Sequence, residues 1–358
     1  MNDEIESLRN SIDALDNEFI ALLQKRAELA VQMGRLKQAN GKGTFDPDRE
    51  LSILSRLCTE IHPPLTNTMV SSLFQVIFSI SRALQEQRKI AYLGPEESYS
   101  YEAATSVFPC DAILLPRNSI EEVIQDVIAE RADLGIVPVE NSSEGMISQT
   151  LDLMVSARLF VVREILLAIS HCLLSRTSMG KIERVFSPPQ ALAQCRQYLR
   201  ANLSQAVLVE TASVVDAACA AAAQESSAAI ASAHAGQRYG LTILAANIND
   251  YPKNITRFWV LSRNILSVQG KVKTSLILLL ENKPGSLYHV LGAFASQGIN
   301  LTKIESRPSR KDPWKHITFI DFQGGLHEEH VQKAMQDIKT YTSDVIVLGS
   351  YPEGGIPD

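Results

Sequence analysis

Residues 5–37 read IESLRNSIDALDNEFIALLQKRAELAVQMGRLK, and their apolar positions are Ile5, Leu8, Ile12, Leu15, Phe19, Leu22, Leu29, Met33 and Leu36. The alternating three–four spacing is that of a long helix with a coiled-coil-like seam. Between Leu22 and Leu29, where an apolar residue belongs, stands Arg26. At about 1.5 Å per residue such a helix is roughly 45–50 Å long, and it needs a partner, most simply a second copy of itself. At about 100° per residue, Lys37 lies about 20° around the axis from Arg26, so the two can line one cavity. Arg9 lies about 100° away in the other sense and about 25 Å back along the axis, out of reach within one chain. In an antiparallel dimer the partner's Arg9 reaches the cavity. Taken alone, Arg26 reads equally well as a polar residue that sets the register of the seam.

At 358 residues the chain is long enough for two or three domains. Its hydrophobic content of 45% and charged content of 21% are ordinary for a soluble globular protein. A net charge of −6 leaves no basic surplus to neutralise phosphates, which argues against a nucleic-acid binder. The five cysteines form no CxxC pair and read as reduced thiols of a cytoplasmic protein, with neither a disulfide frame nor a metal site. The N-terminus lacks the basic and apolar pattern of a secretory signal, and apolar runs such as Leu276–Leu280 are too short to cross a membrane.

After a Gly-containing break over residues 39–44, Asp46 reads as the N-cap and Pro47 as the first residue of a second helix, which Pro63-Pro64 ends. A third helix has Val70, Leu73, Ile77, Ile80 and Leu84 on its seam, with Ser81 and Gln85 sharing the adjoining face. Residues 1–88 are thus a three-helix, all-α segment, too thin for a roomy core of its own. Arg26, Lys37 and Arg49 supply positive charge, and Glu50, Ser81 and Gln85 supply oriented hydrogen bonds, a set suited to a small dicarboxylate. With Leu8-Arg9, Ile12, Leu15-Asp16, Lys25-Arg26, Glu28-Leu29-Ala30, Lys37, Asp46, Asp48-Arg49-Glu50, Phe74-Gln75 and Gln85, the segment resembles the all-helical chorismate mutases, which are intertwined dimers. The resemblance implies that Arg26 and the partner's Arg9 hold the two carboxylates of chorismate. It implies that Lys37 and Gln85 donate to the ether oxygen, that Glu50 and the backbone at Asp46 hold the ring hydroxyl, and that Arg49 and Ser81 complete the pocket. The reaction is pericyclic, so it needs no nucleophile and no cofactor.

From Lys89 short apolar strand runs alternate with helical patterns, as in an α/β domain. Strand runs are expected at Lys89–Leu93, Ala112–Leu115, Asp133–Val139, Val161–Ser175, Ala206–Val209, Ala228–Ala231 and Thr256–Leu261. Helices are expected from about Ser98 and at Ile120–Glu130, Pro189–Arg200 and Val214–Gln224. The chain leaves one α/β unit near residue 168 and returns late, which predicts two lobes with a cleft between them. The loops Gly94–Ser100, Pro138–Gly145 and Asn254–Phe258 carry polar clusters at strand ends, where such folds bind ligands. Singly these are helix caps. Together, with Thr256-Arg257-Phe258 the most specific, they resemble the prephenate dehydratases. That family removes carbon dioxide and the ring hydroxyl from prephenate to give phenylpyruvate.

The resemblance implies that Thr256 donates a hydrogen bond to the departing hydroxyl and that Asn141, Ser187 and Gln194 orient the substrate. Glu140, with a raised pKa, is a candidate acid, because a threonine hydroxyl is too weak an acid for full proton transfer. Arg257 is either a substrate contact or a structural ion-pair partner. Two positions depart from the family: Glu97 stands where a glycine is usual, and Pro188 where a histidine is common. Pro188 has no proton to donate.

After a candidate linker at Arg263–Lys271, the order is strand Val272–Glu281, helix Gly285–Gln297, strand Asn300–Ser306, strand Lys315–Gln323, helix Glu328–Ile338 and strand Asp344–Ser350. This βαββαβ order within roughly 75 residues is the ferredoxin-like arrangement. It resembles an ACT domain, and Gly285-Ser286-Leu287 with Glu305-Ser306-Arg307-Pro308 match that family's phenylalanine-binding segments, although Gly285 alone is explained by the turn it permits. Residues 351–358 read as a loose tail.

Three domains are thus expected, at residues 1–88, 89–265 and 272–350, in the order of the bifunctional chorismate mutase/prephenate dehydratases. The resemblance implies chorismate and prephenate as substrates, L-phenylalanine as feedback effector and a homodimer or higher homo-oligomer, with no cofactor or metal, no nucleic acid and no membrane. Two other readings compete: an active mutase fused to a non-catalytic amino-acid-sensing module, and a sensor without any chemistry.

Overall fold

The computed structural model describes residues 2–40, 46–85, 88–109, 112–251, 253–265, 272–280, 283–308 and 316–355. The chain divides into two compact units, residues 1–88 with 107–113, and residues 89–106 with 114–358. The first is built from α1 (Asn2–Ala39), α2 (Pro47–Glu60) and α3 (Asn67–Gln85). Asp46 caps α2, its carboxylate accepting from the Arg49 backbone N–H at 3.1 Å, with Pro47 in the first turn as expected. Helix α1 closes on α3 at Gly34, where a Cβ would lie 2.7 Å from Gln85 Cγ. The seam of α1 has no cover among the described residues: Leu8, Leu15, Leu22 and Leu29 are 63–65% exposed. Of the expected break at residues 39–44, Ala39 and Asn40 are described, and 41–44 lie outside the described residues.

The second unit begins with β1 (Arg88–Leu93), α4 (Tyr99–Val107), β2 (Ala112–Arg117), α5 (Ile120–Ile128), β3 (Leu134–Asn141), the short β4 (Gly145–Met146), α6 (Ser148–Ala157) and β5 (Phe160–Ala168). It continues with β6 (Cys172–Ser175), β7 (Arg184–Ser187), α7 (Pro189–Gln194), α8 (Arg196–Asn202), β8 (Val207–Glu210), α9 (Val214–Ala223), β9 (Ser227–Ala231), α10 (Ala233–Tyr239), β10 (Thr242–Ala245) and β11 (Ile255–Ser262). One sheet has the order β2-β1-β3-β11-β5, with β4 on β3, and the other β10-β6-β9-β7-β8. The expected two lobes are therefore present. The run expected over Val161–Ser175 is two strands, one in each sheet, and Ile169–His171 is the crossing between them. The helix expected over Pro189–Arg200 is two helices broken at Cys195. Strands β7 and β10 and helices α6 and α10 were not foreseen; β7 and β10 are each only four residues long, too short to show a period.

The rest of this unit is β12 (Val272–Leu280), α11 (Ser286–Ser296), β13 (Leu301–Pro308), β14 (His316–Gln323), α12 (Glu329–Ile338) and β15 (Thr342–Pro352), in the sheet order β13-β14-β12-β15. This is the predicted βαββαβ fold; of the expected linker, residues 266–271 lie outside the described residues. One face of the sheet packs Leu276, Leu278, Ile320 and Phe322 against Val290 and Phe294 of α11 and Val331 and Ile338 of α12. The other face does not meet solvent. Ile277, Ile317, Phe319, Leu348 and Tyr351 share one core with Leu151, Met154, Val161, Trp259 and Leu261 of the first lobe. The approach is closest at Gly349, which has φ +145 and whose added Cβ would collide with the Val161 carbonyl oxygen of β5.

Candidate active sites and an interdomain polar network

In the helical unit the structure brings Arg26, Glu50, Ser81 and Gln85 together. Arg26 donates to Ser81 Oγ and lies over the Phe78 ring at 5.7 Å. Burial lowers its pKa, and the Glu50 carboxylate acts in the opposite sense. Gln85 Nε2 donates to the Ser81 carbonyl at 3.0 Å, and its Oε1 is buried without a hydrogen-bond partner among the described residues. Glu50 forms an ion pair with Arg82, a residue that sequence reasoning missed and that is only 4% exposed. The missed signal is the buried position of an arginine on a helix whose apolar residues alternate with it. Asp46 is committed to its cap, and Arg49 and Arg9 are exposed.

In the second unit a cleft of about 340 Å³ opens between the lobes, lined from the first by Leu93, Ser98, Tyr99, Asn141, Thr256 and Phe258. From the crossing and the second lobe come Ile169, His171, Pro188, Gln190 and Gln194. Strands β1 and β3 are parallel and β7 runs parallel to β8 and β9, so the cleft lies at carboxyl ends of strands. Thr256 is paired with Asn141 across β11 and β3, and Asn141 Nδ2 donates to Thr256 Oγ1 at 2.9 Å. The same amide donates to Asn254 Oδ1 at 2.9 Å, Asn254 Nδ2 donates to Gln194 Oε1 at 3.0 Å, and Gln194 Nε2 donates to Glu144 Oε1 at 3.2 Å. His171 joins this chain through Nε2, 2.9 Å from Gln194 Oε1, and through Nδ1, 2.8 Å from Tyr99 Oη. Neither His171 nor Tyr99 was singled out from sequence, because a lone histidine at a strand start carries no local signature.

Three sequence-predicted residues are not in the cleft. The β11–β3 register pairs Arg257 with Glu140 next to the Thr256–Asn141 pair. Successive strand residues face opposite ways, so Glu140 and Arg257 point to the other side of the sheet. Glu140 accepts from Lys303 Nζ at 2.6 Å, which removes it as the acid of the cleft. Ser187 is fully buried, and its hydroxyl donates to the Ile230 carbonyl at 3.0 Å. It holds the second sheet together and touches no cleft space.

Arg257 proves to be an interdomain ion-pair residue. Its Nη1 donates to Asp321 Oδ2 at 2.6 Å, its Nη2 donates to Tyr351 Oη at 2.9 Å, and its Nε forms an ion pair with Glu164 at 2.5 Å. Burial opposes charge on this guanidinium, but Tyr351, Asp321 and Glu164 outweigh it, and the pKa is raised. Burial also raises the Asp321 carboxyl, against the pull of Arg257, Ser275 and Lys273. Lys273 adds a further tie to Glu164 at 3.0 Å. Arg257, Asp321, Glu164 and Lys273, with Lys303 and Glu140, line a separate charged cavity of about 240 Å³.

At the far end of the same sheet, Gly285 has φ +87 at the start of α11, a conformation that favours glycine. Leu279 and Arg307 both lie opposite Ile317, so the Gly285 turn and the end of β13 share one end of the sheet. The seven residues expected there nonetheless divide between faces. Ser306 and Pro308 are exposed and lie on the same side as Leu301, Ile304 and the helices, whereas Glu305 and Arg307 turn to the first lobe. Arg307 Nη1 donates to the Ser148 carbonyl at 2.6 Å and pairs with Asp152 at 2.6 Å.

A two-lobed α/β cleft with an Asn–Thr pair on adjoining strands, followed by a ferredoxin-like domain, defines the prephenate dehydratase class. That family's model matches residues 90–265, the type II chorismate mutase model residues 8–86 and the ACT model residues 274–340. The bifunctional chorismate mutase/prephenate dehydratase of Aquifex aeolicus is 38% identical over 356 residues, covering 98% of each chain. A prephenate dehydratase from Arthrobacter aurescens, solved in complex with L-Phe, has a TM-score of 0.69 at 30% identity and covers 74% of this chain and 90% of its own. GqqA, described as a quorum-quenching acylase, has a TM-score of 0.67 at 28% identity, covering 74% of this chain and 98% of its own. The chain belongs to the bifunctional chorismate mutase/prephenate dehydratase family and carries both enzyme domains followed by an ACT domain. No helix of the described residues is long and apolar enough to cross a membrane.

The departure at Glu97 has a visible conformational cost. Its φ is +65, in the left-handed region where the usual glycine fits freely. An L-residue there costs about 1–2 kcal/mol, offset in part by the greater chain entropy of glycine. Glu97→Gly is expected to stabilise the dehydratase unit by about 0.5–1 kcal/mol. A urea titration that leaves the unfolding midpoint unmoved or lowered counts against this account of the loop.

Proposed function

We propose that this chain catalyses two consecutive steps toward phenylalanine, with the side chains dividing the work as follows. In the helical unit, Arg26 and the partner's Arg9 bind the carboxylates of chorismate. Lys37 and a reoriented Gln85 amide donate to the ether oxygen as the C–O bond breaks, and Arg82 holds the Glu50 carboxylate toward the ring hydroxyl. Catalysis there is positioning plus stabilisation of developing charge. In the cleft, Asn141 Nδ2 donates to Thr256 Oγ1, so the single hydroxyl hydrogen of Thr256 is left to donate to the departing hydroxyl of prephenate. That one hydrogen bond carries the dehydratase reading, and Gln194 and Asn254 keep Asn141 in line.

The experiment is a pair of assays on one purified protein, chorismate to prephenate and prephenate to phenylpyruvate. Lys37→Ala is expected to cost about 10²–10³-fold in the first and to spare the second. Thr256→Val is expected to lower the second by at least about 10²-fold and to spare the first. Normal dehydratase activity in Thr256→Val would remove the site from the cleft. No second activity in the parent protein would leave a mutase fused to a binding module.

A second copy of the chain completes the mutase site, because the α1 seam is an exposed apolar stripe among the described residues and Arg9 stands exposed next to Leu8 of that seam. Leu15→Asp is expected to lower the mass seen in sedimentation and to abolish mutase activity. A variant still active as a monomer rules the shared site out.

L-Phenylalanine acts at the Gly285 turn and the exposed edge strand β13, next to a second copy, and its signal reaches the cleft through Arg257, the residue beside Thr256. Loosening that tie with Asp321→Asn is expected to raise the phenylalanine concentration for half-inhibition about tenfold, a coupling change of ordinary allosteric size. Unchanged inhibition would show that the signal takes another route.

A further inference from the structure

The dehydratase reaction consumes a proton. Prephenate is a dianion, and it leaves as a phenylpyruvate monoanion, carbon dioxide and water. The electron pair of the C–CO2 bond enters the ring, the ring C–O bond breaks with its pair on oxygen, and that oxygen must gain a hydrogen. Among the described residues that line the cleft there is no Lys, Arg, Asp or Glu, and the titratable ones are Tyr99 and His171.

We propose that His171 holds the proton consumed by dehydration and that Tyr99 passes it into the cleft. This rests on the cleft being the dehydratase site. The orientation of Gln194 is set by its Nε2 donating to Glu144, so its Oε1 accepts, and His171 Nε2, 2.9 Å away, carries a hydrogen throughout. Nδ1 then has two satisfied states. Without a second proton it accepts from Tyr99 Oη at 2.8 Å. With one it donates to Tyr99 Oη, and the phenol hydrogen turns to the Ser170 carbonyl, 3.1 Å away. The ring, 3% exposed, can therefore gain or lose a proton without stranding a buried polar atom, which is the usual cost of titrating a buried group.

In the turnover step Nδ1–H moves to Tyr99 Oη while the Tyr99 hydrogen moves to the leaving oxygen, which Thr256 also contacts. Water and carbon dioxide leave, His171 is neutral, Tyr99 is again a phenol, and solvent restores the proton. Tyr99 is suited to relay and not to supply, since burial, with Glu102, Cys172 and Cys195 adding to it, holds its own pKa far above neutrality. Burial lowers the His171 pKa, with the Gln194 hydrogen bond opposing it. The other titratable groups around the pair are Glu102 on α4, Cys172 on β6, Cys195 before α8, Glu144 on the β3–β4 turn and Asp250 before β11. A dianion in a cleft with no fixed cation raises the imidazole pKa, so the substrate itself recruits the proton.

The test is the pH dependence of prephenate turnover by the full-length protein. In the parent, kcat/KM is expected to fall with rising pH about a midpoint below the ordinary histidine value, and kcat to fall at higher pH. His171→Gln is expected to lose both limbs and about 10²-fold in kcat, with mutase activity retained as the check on folding. Tyr99→Phe is expected to lower kcat with little change in KM, and it serves if the glutamine variant does not fold. A His171→Gln protein that keeps the parental limb, or a Tyr99→Phe protein with parental kcat, overturns the proposal. Thr256→Val separates the two failures: if it is inactive while His171→Gln keeps the limb, the cleft is the site and the proton source is elsewhere. If Thr256→Val is active, the cleft assignment itself has failed.

Discussion

Strand β11 lies between β3 and β5, and the alternation of its side chains governs the second unit. Thr256 and Phe258 line the cleft, whereas Arg257 faces the ACT domain, where Asp321, Tyr351 and Glu164 meet it. A slip of one residue in the β11–β3 register would exchange the two sets, sending the hydroxyl into a charged cavity and the guanidinium into the interlobe cleft. The buried ion pairs of Arg257 make that slip expensive, because an uncompensated buried charge costs several kcal/mol, roughly 3–5. The same residue that ties two domains together thus fixes the face on which Thr256 stands.

The two proposed sites differ in their fixed charge. The helical unit has a permanent guanidinium, Arg26, over the Phe78 ring and hydrogen-bonded to Ser81. The cleft has amides, hydroxyls and one imidazole, joined in a chain whose polarity is set by the Glu144 end. Fixed cations suit a rearrangement in which charge only shifts within the substrate. A neutral lining with a titratable member suits a reaction that needs a proton and must then release a product of lower charge.

The fold was legible where the periods are long. The heptad spacing of α1, the cap at Asp46-Pro47 and the βαββαβ order all have structures that agree with them to within a few residues. The late return of the chain through β11 was also readable, from the strand run at Thr256–Leu261 after two intervening α/β stretches. Strands of four residues such as β7 and β10 left no period to read. The site was legible as a set of loops but not as a set of directions. Glu140 and Asn141 are neighbours in sequence, and only the register shows that they face opposite sides of one sheet. His171 and Arg82 were invisible for a related reason. Each acts through partners far away in sequence, Tyr99 and Gln194 for the first and Glu50 for the second. Glu97 is the converse case: the sequence showed it as an odd residue in a loop, and its positive φ gives that oddity a backbone meaning.

The core shared by the first lobe and the ACT sheet bears on how such a chain can be cut or recombined. Residues 263–271 are where the sequence suggests a joint, yet Ile277, Phe319, Leu348 and Tyr351 on one side of it pack with Leu151, Val161 and Trp259 on the other. At Gly349 the two backbones approach so closely that no side chain fits between them. Excision at that joint would leave an apolar surface on both fragments, with Arg257 and Asp321 each stripped of a buried partner. A dehydratase unit freed of its C-terminal domain by truncation would therefore carry that apolar surface into solvent. Insensitivity to the effector is more accessible by point substitution in the polar network than by removal of the domain.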